Sequence, residues 1–391
     1  MNRNVWLLFC CQALMNAIMS GQTVMAALIG HSLAVDKALN TLPMAIQMTA
    51  MMCASIPASM VFARLGRKPG FWLGCLGSLA GSAIFALGVW YGSFPLYCLG
   101  AVPAGLGWGI AQHLRFAAAE VADAEARPRA IALVMTGGVL AAIIGPELVK
   151  RTNMLIPPLA FLGTYACLTV LPVIAAILLL FTRLPPAVRA EGAPVPIRAI
   201  LARPNFVAAV VCCMVGYGTM NLVMASTPLE MMFCGFGIGP SADVIRAHSI
   251  AMFLPGFVTG RLIQRLGAHP IIFAGGVLTL LCVAVNVAFS PSYATFLVAL
   301  TLLGVGWNFM FVGGTALLTT AYEPAERVRV QATNDFIVFG TVACTAFTSG
   351  AVQATAGWAA LNLTVVPPVI IAVSLLAWHW LSRARLAPAP V

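Results

Sequence analysis

Long apolar runs alternate with short polar connections along this chain, and the length of the runs decides its class. A helix that crosses a bilayer needs about 20 mainly apolar residues. Twelve stretches meet that need, near 5–30, 40–63, 70–91, 94–118, 129–149, 157–182, 205–233, 242–264, 270–289, 293–321, 328–352 and 358–381. The pattern predicts an all-α membrane protein with twelve transmembrane helices embedded in a lipid bilayer. The first run begins at Val5 with no longer basic region before it, so it reads as a retained helix rather than a cleaved leader.

Composition agrees, with 61% hydrophobic and 8% charged residues and a mean hydropathy of +0.97, against about 25% charged residues in soluble domains. The net charge of +10 would suit a nucleic-acid partner only if it formed a patch, and it does not. The basic residues mark topology instead. Arg3, Arg64, Arg67, Lys68, Arg183, Arg265 and Arg383 fall at the termini or in even-to-odd connections, while the other side holds Lys37, Lys150, Arg151 and Arg246. That bias predicts a multi-pass protein with both termini in the cytoplasm. The 11 cysteines lie mostly inside apolar runs and read as reduced thiols, not as a disulfide framework.

The chain also repeats itself. "ARLGRKPG" at 63–70 returns as "QRLGAHPI" at 264–271, "GLGWGI" at 105–110 as "GVGWNF" at 304–309, and "EARPRAIA" at 125–132 as "ERVRVQA" at 326–332. Each copy lies about 200 residues after the first, the mark of a duplicated unit. We therefore expect two six-helix pseudo-repeats, residues 1–182 and 204–391, joined by a cytoplasmic linker at 183–203. Repeats of this kind place a transporter's substrate between the halves.

Candidate chemistry concentrates in the seventh and eighth runs. "GTMNLVMASTP" at 218–228 carries Met220 and Met224, and "AHSIAMFLPG" at 247–256 carries His248 and Met252. Residues four apart share a helix face, and antiparallel helices turning near 237 would bring Met224 and Met252 to similar depth. Thioethers with an imidazole select Cu(I) over hard cations, and neutral donors can release what they bind. The first half carries an echo: "LMNAIM" supplies Met15 and Met19, while Gln47 and Met51 stand where the second half has His248 and Met252, with Met48 beside them. These are either packing residues kept by duplication or secondary thioether contacts along a path. Asp335 and Glu230 are the candidates for proton coupling, because carboxylates inside a membrane are costly and usually functional. Asn16, Asn221, Asn308 and Asn334 are expected to hydrogen-bond between helices. No tightly bound cofactor is expected, and copper is read as a transported substrate.

"SMVFARLGRK" at 59–68 resembles the Gly-x-x-x-Asp-Arg-x-Gly-Arg-Lys loop of the major facilitator superfamily, with a weaker copy "GRLIQRLG" at 260–267. Arg64, Gly66, Arg67 and Lys68 carry the likeness, while Ser59 and Ala63 depart from the pattern. The resemblance implies the twelve-helix facilitator fold. The MxxxM and HxxxM pairs in such a chain further resemble the CcoA-type bacterial copper importers. That likeness implies a place in the bacterial cytoplasmic (inner) membrane and copper uptake supplying cbb3-type cytochrome oxidase assembly. Met220, Met224, His248 and Met252 would be the metal site, Cys212 and Cys234 would match the family's membrane cysteines, and a copper chaperone or exporting ATPase would be the downstream acceptor. A neighbouring branch resembles riboflavin carriers, which keeps an organic solute as the alternative. Such a carrier needs an aromatic-lined cavity, for which Trp108, Tyr217, Trp307 and Phe309 are available. An enzyme is not expected, since the sequence offers neither a Gly-rich phosphate loop nor an extramembrane domain to hold a catalytic group set.

Overall fold

The structure, a computed structural model, describes residues 3–123, 127–184, 196–323 and 326–386. Residues 185–195 of the expected linker, and Glu125 and Ala126 of the repeated segment, lie outside that set.

All regular structure among the described residues is helical. In chain order come α1 (Arg3–Leu33), α2 (Leu42–Leu65), α3 (Arg67–Trp90), α4 (Phe94–Ala111), α5 (Leu114–Val121), α6 (Arg127–Thr152), α7 (Leu162–Leu168) and α8 (Val170–Leu180). The short α9 (Ile197–Leu201) precedes α10 (Pro204–Phe233), α11 (Ile238–Phe253), α12 (Gly256–Leu266), α13 (Ala268–Ala288), α14 (Tyr293–Leu318), α15 (Arg327–Leu363) and α16 (Val366–Leu386). These make twelve spans, because α4 with α5, α7 with α8, and α11 with α12 each share one. Among the described residues nine helical stretches are long and apolar enough to cross a membrane, and one of them, Arg329–Ser382, holds two spans. The second and eighth spans fall short. The second, Leu42–Leu65, is a continuous helix in which the side chains of residues 55, 56, 59 and 63 lie outside the described set, and the eighth is interrupted at Pro255, which has no N–H to continue the ladder.

Burial follows the bilayer logic. Leu73, Leu76 and Leu87 on α3 and Ile370 and Ile371 on α16 are exposed, and Trp90, Tyr91, Trp378 and Trp380 stand exposed at span ends, as side chains facing lipid and its interface do. By contrast α1 and α10 are largely buried and carry their polar residues, Gln12, Gln22, Thr23, Asn221 and Ser226, inward. Small residues let neighbours close up: a side chain on Gly81 would meet the Ala104 backbone nitrogen at 2.6 Å, so α3 and α4 pack backbone to backbone.

The duplication is visible in the backbone itself. Gly66 has φ 87° and ψ 168°, and Gly267 has φ 86° and ψ 165°, a region that glycine alone occupies cheaply. Beyond Gly66, Arg67 pairs with Glu120, and Lys68 Nζ donates to the carbonyls of Leu180 at 2.7 Å and Thr182 at 3.2 Å. Arg64 is exposed. The loop thus ties the second, third, fourth and sixth spans at the end where the chain termini lie. In the second half Arg203 plays the brace, donating to both Glu326 carboxyl oxygens at 2.6 and 2.7 Å and to the Ala321 carbonyl at 2.8 Å. Its guanidinium holds the Glu326 carboxyl down at about 2.

Both braces act within one half. The polar contacts that join the halves lie at the opposite end. Lys150 pairs with Asp243 at 3.0 Å, Arg246 pairs with Glu147 at 3.1 Å, and the Gly350 amide donates to Thr41 Oγ1 at 3.0 Å, while Arg246 also holds Asp243 on its own helix at 2.8 Å. Nearby the His31 and Phe233 rings meet edge-on at 5.3 Å. The molecule is clasped at the end away from its termini.

Candidate functional site

Beneath the clasp, the two halves enclose a cavity of about 140 Å³. Helical spacing explains which side chains reach it. On α10 Tyr217, Met220, Asn221 and Met224 form one stripe, and on α1 Gln12, Asn16, Met19, Ser20 and Thr23 form another. Trp108 and Trp307 add aromatic faces, from the fourth and tenth spans. The repeat noted in "GLGWGI" and "GVGWNF" therefore puts equivalent tryptophans on the two walls.

The lining is graded along the molecular axis. Thioethers of Met44, Met48, Met224 and Met252 lie toward the clasped end and the middle, with Met19 and Met220, while Met135, nine residues into α6, reaches the lining from the terminal end. The centre is aromatic: Trp307 stacks on Phe311 with centroids 5.1 Å apart, Tyr217 meets Trp307 edge-on at 5.4 Å, Phe311 at 5.3 Å and Phe339 at 5.9 Å, and Phe253 meets Trp307 at 5.9 Å. Gln112, Arg115 and Asp335 lie toward the terminal end. Several buried polar atoms in this lining have no partner in the protein, among them Gln12 Oε1, Ser20 Oγ, Arg115 Nε and Trp307 Nε1. A cavity with aromatic walls and a few unspent polar groups suits a flat organic solute.

The sequence-predicted residues divide as follows. Met220, Met224 and Met252 come together in the lining, as do Met19, Met48 and Asp335. His248 lies outside it: fully buried, its Nδ1 sits 2.7 Å from the Leu300 carbonyl on α14, and its buried Nε2 has no partner in the protein. Met15 packs in a separate core with Val5, Leu8 and Cys11, and Met51 is buried away from the cavity. Cys212 is buried within α10, while Cys234 is exposed at the helix end with Sγ 3.8 Å from Glu230. Glu230 accepts a hydrogen bond from Gln353 and is not part of the lining. Asn16 accepts from Trp108 Nε1 at 3.1 Å, Asn221 donates to the Val342 carbonyl at 3.2 Å, and Asn308 donates to the Met252 carbonyl at 2.7 Å. Asn16 and Asn221 thus both bridge helices and line the cavity. Phe311 lines the cavity and Phe309 does not.

Sequence reasoning missed Arg115, Gln12, Gln112, Phe253 and Phe339. For Arg115 the signal was present, a guanidinium inside the fourth apolar stretch, where a charge is expensive unless it works.

Residues 8–243 match the family model described as Major Facilitator Superfamily. The chain belongs to that superfamily. This facilitator is 36% identical over 381 residues, 94% of each chain, to the riboflavin transporter RfnT of Brucella anthropi. It is 28% identical over 338 residues, 81% of this chain and 76% of the other, to the uncharacterized MFS-type transporter YddS of Bacillus subtilis. Its fold matches the xylose transporter XylE of E. coli in a partially occluded inward-open conformation (TM-score 0.72, 10% identity, 96% and 98% coverage) and a bacterial homologue of the lysosomal transporter Spinster (TM-score 0.71, 17% identity, 98% coverage of each). The facilitator is a multi-pass membrane transporter and not an enzyme.

The expectation of copper import is overturned by the relative spanning nearly the whole chain, which is a riboflavin transporter. The physical reason for the misreading is that thioethers serve two purposes. They ligate soft cations, and they also pack favourably against aromatic rings.

Proposed function

We propose that this facilitator carries riboflavin, or a solute with the same flat ring system, across the cytoplasmic membrane by alternating access between residues 1–182 and 204–391. The whole-length likeness to a riboflavin transporter carries this reading, and the graded cavity supports it. In this proposal the ring lies among Trp307, Phe311, Tyr217 and the thioethers of Met220, Met224 and Met252. Asp335 is the coupling candidate within the cavity, while His248 and Glu230 serve helix packing through Leu300 and Gln353.

The positive-inside bias puts the terminal end in the cytoplasm, so the clasp of Lys150, Asp243, Glu147 and Arg246 is an outer gate, closed here. Ligand sites span about 300–1,000 Å³. A cavity of about 140 Å³ must therefore widen toward the cytoplasm to release or admit such a solute.

The test is growth of a riboflavin-requiring bacterium without its own uptake system on limiting riboflavin. Cells expressing the chain should grow and accumulate riboflavin, and those with an empty vector should not. Absence of growth and of uptake, at confirmed membrane expression, would sink the proposal.

A further inference from the structure

Arg115 and Asp335 are the charged side chains in the cavity lining, one from each half of the molecule. Arg115 stands on α5 at the cytoplasmic end of the fourth span, and Asp335 stands nine residues into α15, which enters from the same side. The two lie within electrostatic reach of each other, and Arg115 also within reach of Tyr217. The Asn334 amide donates to Asp335 Oδ1 at 3.0 Å. The Arg115 guanidinium sits over the Phe116 ring at 4.9 Å, and its buried Nε donates to no protein acceptor.

A guanidinium so placed has donors to spare, and its planar fork favours oxygens presented in pairs. Gln112, one turn earlier, and the unpartnered Gln12 Oε1 add hydrogen-bonding capacity at the same end. The opposite end of the cavity offers no charge, and six of the seven lining thioethers lie there or in the middle, Met135 being the exception. A flat solute therefore fits with its apolar edge toward the methionines and its carbonyl-bearing edge toward Arg115.

The charges of Arg115 and Asp335 cancel. A neutral heterocycle with paired carbonyl oxygens leaves that balance intact. A phosphate ester brings a charge of about −1.5 to −2, which one guanidinium within electrostatic reach of a carboxylate cannot offset. Uncompensated charge is far more costly in a low-dielectric cavity than in water.

We propose that the Arg115–Asp335 pair is a charge filter: Arg115 holds the carbonyl edge of the neutral heterocycle, and Asp335 makes the cavity reject the phosphorylated form of the same ring. This rests on the riboflavin reading and adds a specificity device to it. A kinase reaction that phosphorylates the imported solute would then trap it inside, because the ester cannot leave by the same route.

The experiment is riboflavin exchange (counterflow) into riboflavin-loaded proteoliposomes containing the full chain, a mode that does not depend on the coupling carboxylate, with riboflavin 5′-phosphate in excess outside as competitor. In wild type the ester should leave uptake unchanged. Asp335→Asn and, independently, Gln112→Arg each make the cavity one charge more positive. In each the ester should reduce uptake by about tenfold, the scale of a charge-assisted contact regained. Adding Arg115→Gln to Asp335→Asn should make the ester inert again. Either single variant suffices if the other does not reach the membrane. If wild type takes up riboflavin and the active variants still ignore the ester, the charge filter is overturned while the riboflavin reading stands. The filter is equally overturned if the ester competes in wild type. If wild type takes up no riboflavin, both fall together.

Discussion

Trp307→Leu is expected to lower riboflavin uptake at subsaturating substrate by about tenfold or more, with the protein still in the membrane. Trp307 is the hub of the aromatic wall: it stacks on Phe311 at 5.1 Å and meets Tyr217 and Phe253 edge-on. Stacking a flat base on an aromatic side chain is worth about 1–3 kcal/mol, and about 1.4 kcal/mol is a factor of ten in affinity. Leucine keeps much of the volume and so avoids most of the cost of a cavity. Trp307→Phe retains a ring but loses the buried indole N–H that has no partner in the protein, and should fall between leucine and wild type. Concentration-dependent uptake at matched membrane levels separates these cases. A Trp307→Leu protein that transports like wild type would remove the tryptophan from the site.

The second large effect concerns the clasp. Replacing both Arg246 and Lys150 by glutamine should open the far end, because it deletes the cations that bind Glu147 and Asp243 across the two halves. Each such pair is partly exposed and shifts an equilibrium by a factor of a few, so together they should raise opening by about fivefold. The readout is a cysteine placed at Met224, in a chain whose exposed Cys234 has been replaced. Its labelling by a membrane-impermeant maleimide added outside intact cells should rise by about that factor. Unchanged labelling would mean that apolar packing around Thr41 and Gly350 seals the gate by itself.

Much of the fold was legible because the bilayer imposes rules on sequence. Span length, the side on which Arg and Lys fall, and the duplicated turn at Gly66 and Gly267 all follow from constraints that act locally. The site was legible only as a location. The Met220 and Met224 spacing does place both side chains in the central cavity, since residues four apart share a face. Spacing does not reveal which way that face is turned. His248 keeps the i,i+4 relation to Met252, yet α11 rolls its ring toward Leu300 and leaves Met252 in the cavity. Nor does it reveal what a thioether faces. Seven methionines line the cavity beside Tyr217, Trp307, Phe311 and Phe339, aromatics that lie up to 122 residues apart in the chain, at positions 217 and 339. Arg115 was legible as a guanidinium inside the fourth apolar stretch, and the packing of α5 against the cavity shows that it faces inward.

The most direct measurement of the central claim is riboflavin binding to the purified full chain in detergent, followed by quenching of flavin fluorescence. The account predicts saturable quenching by the wild-type protein that is weakened in Trp307→Leu and indifferent to added copper. Riboflavin fluorescence that stays unquenched at all protein concentrations, with the protein folded and monodisperse, would contradict it.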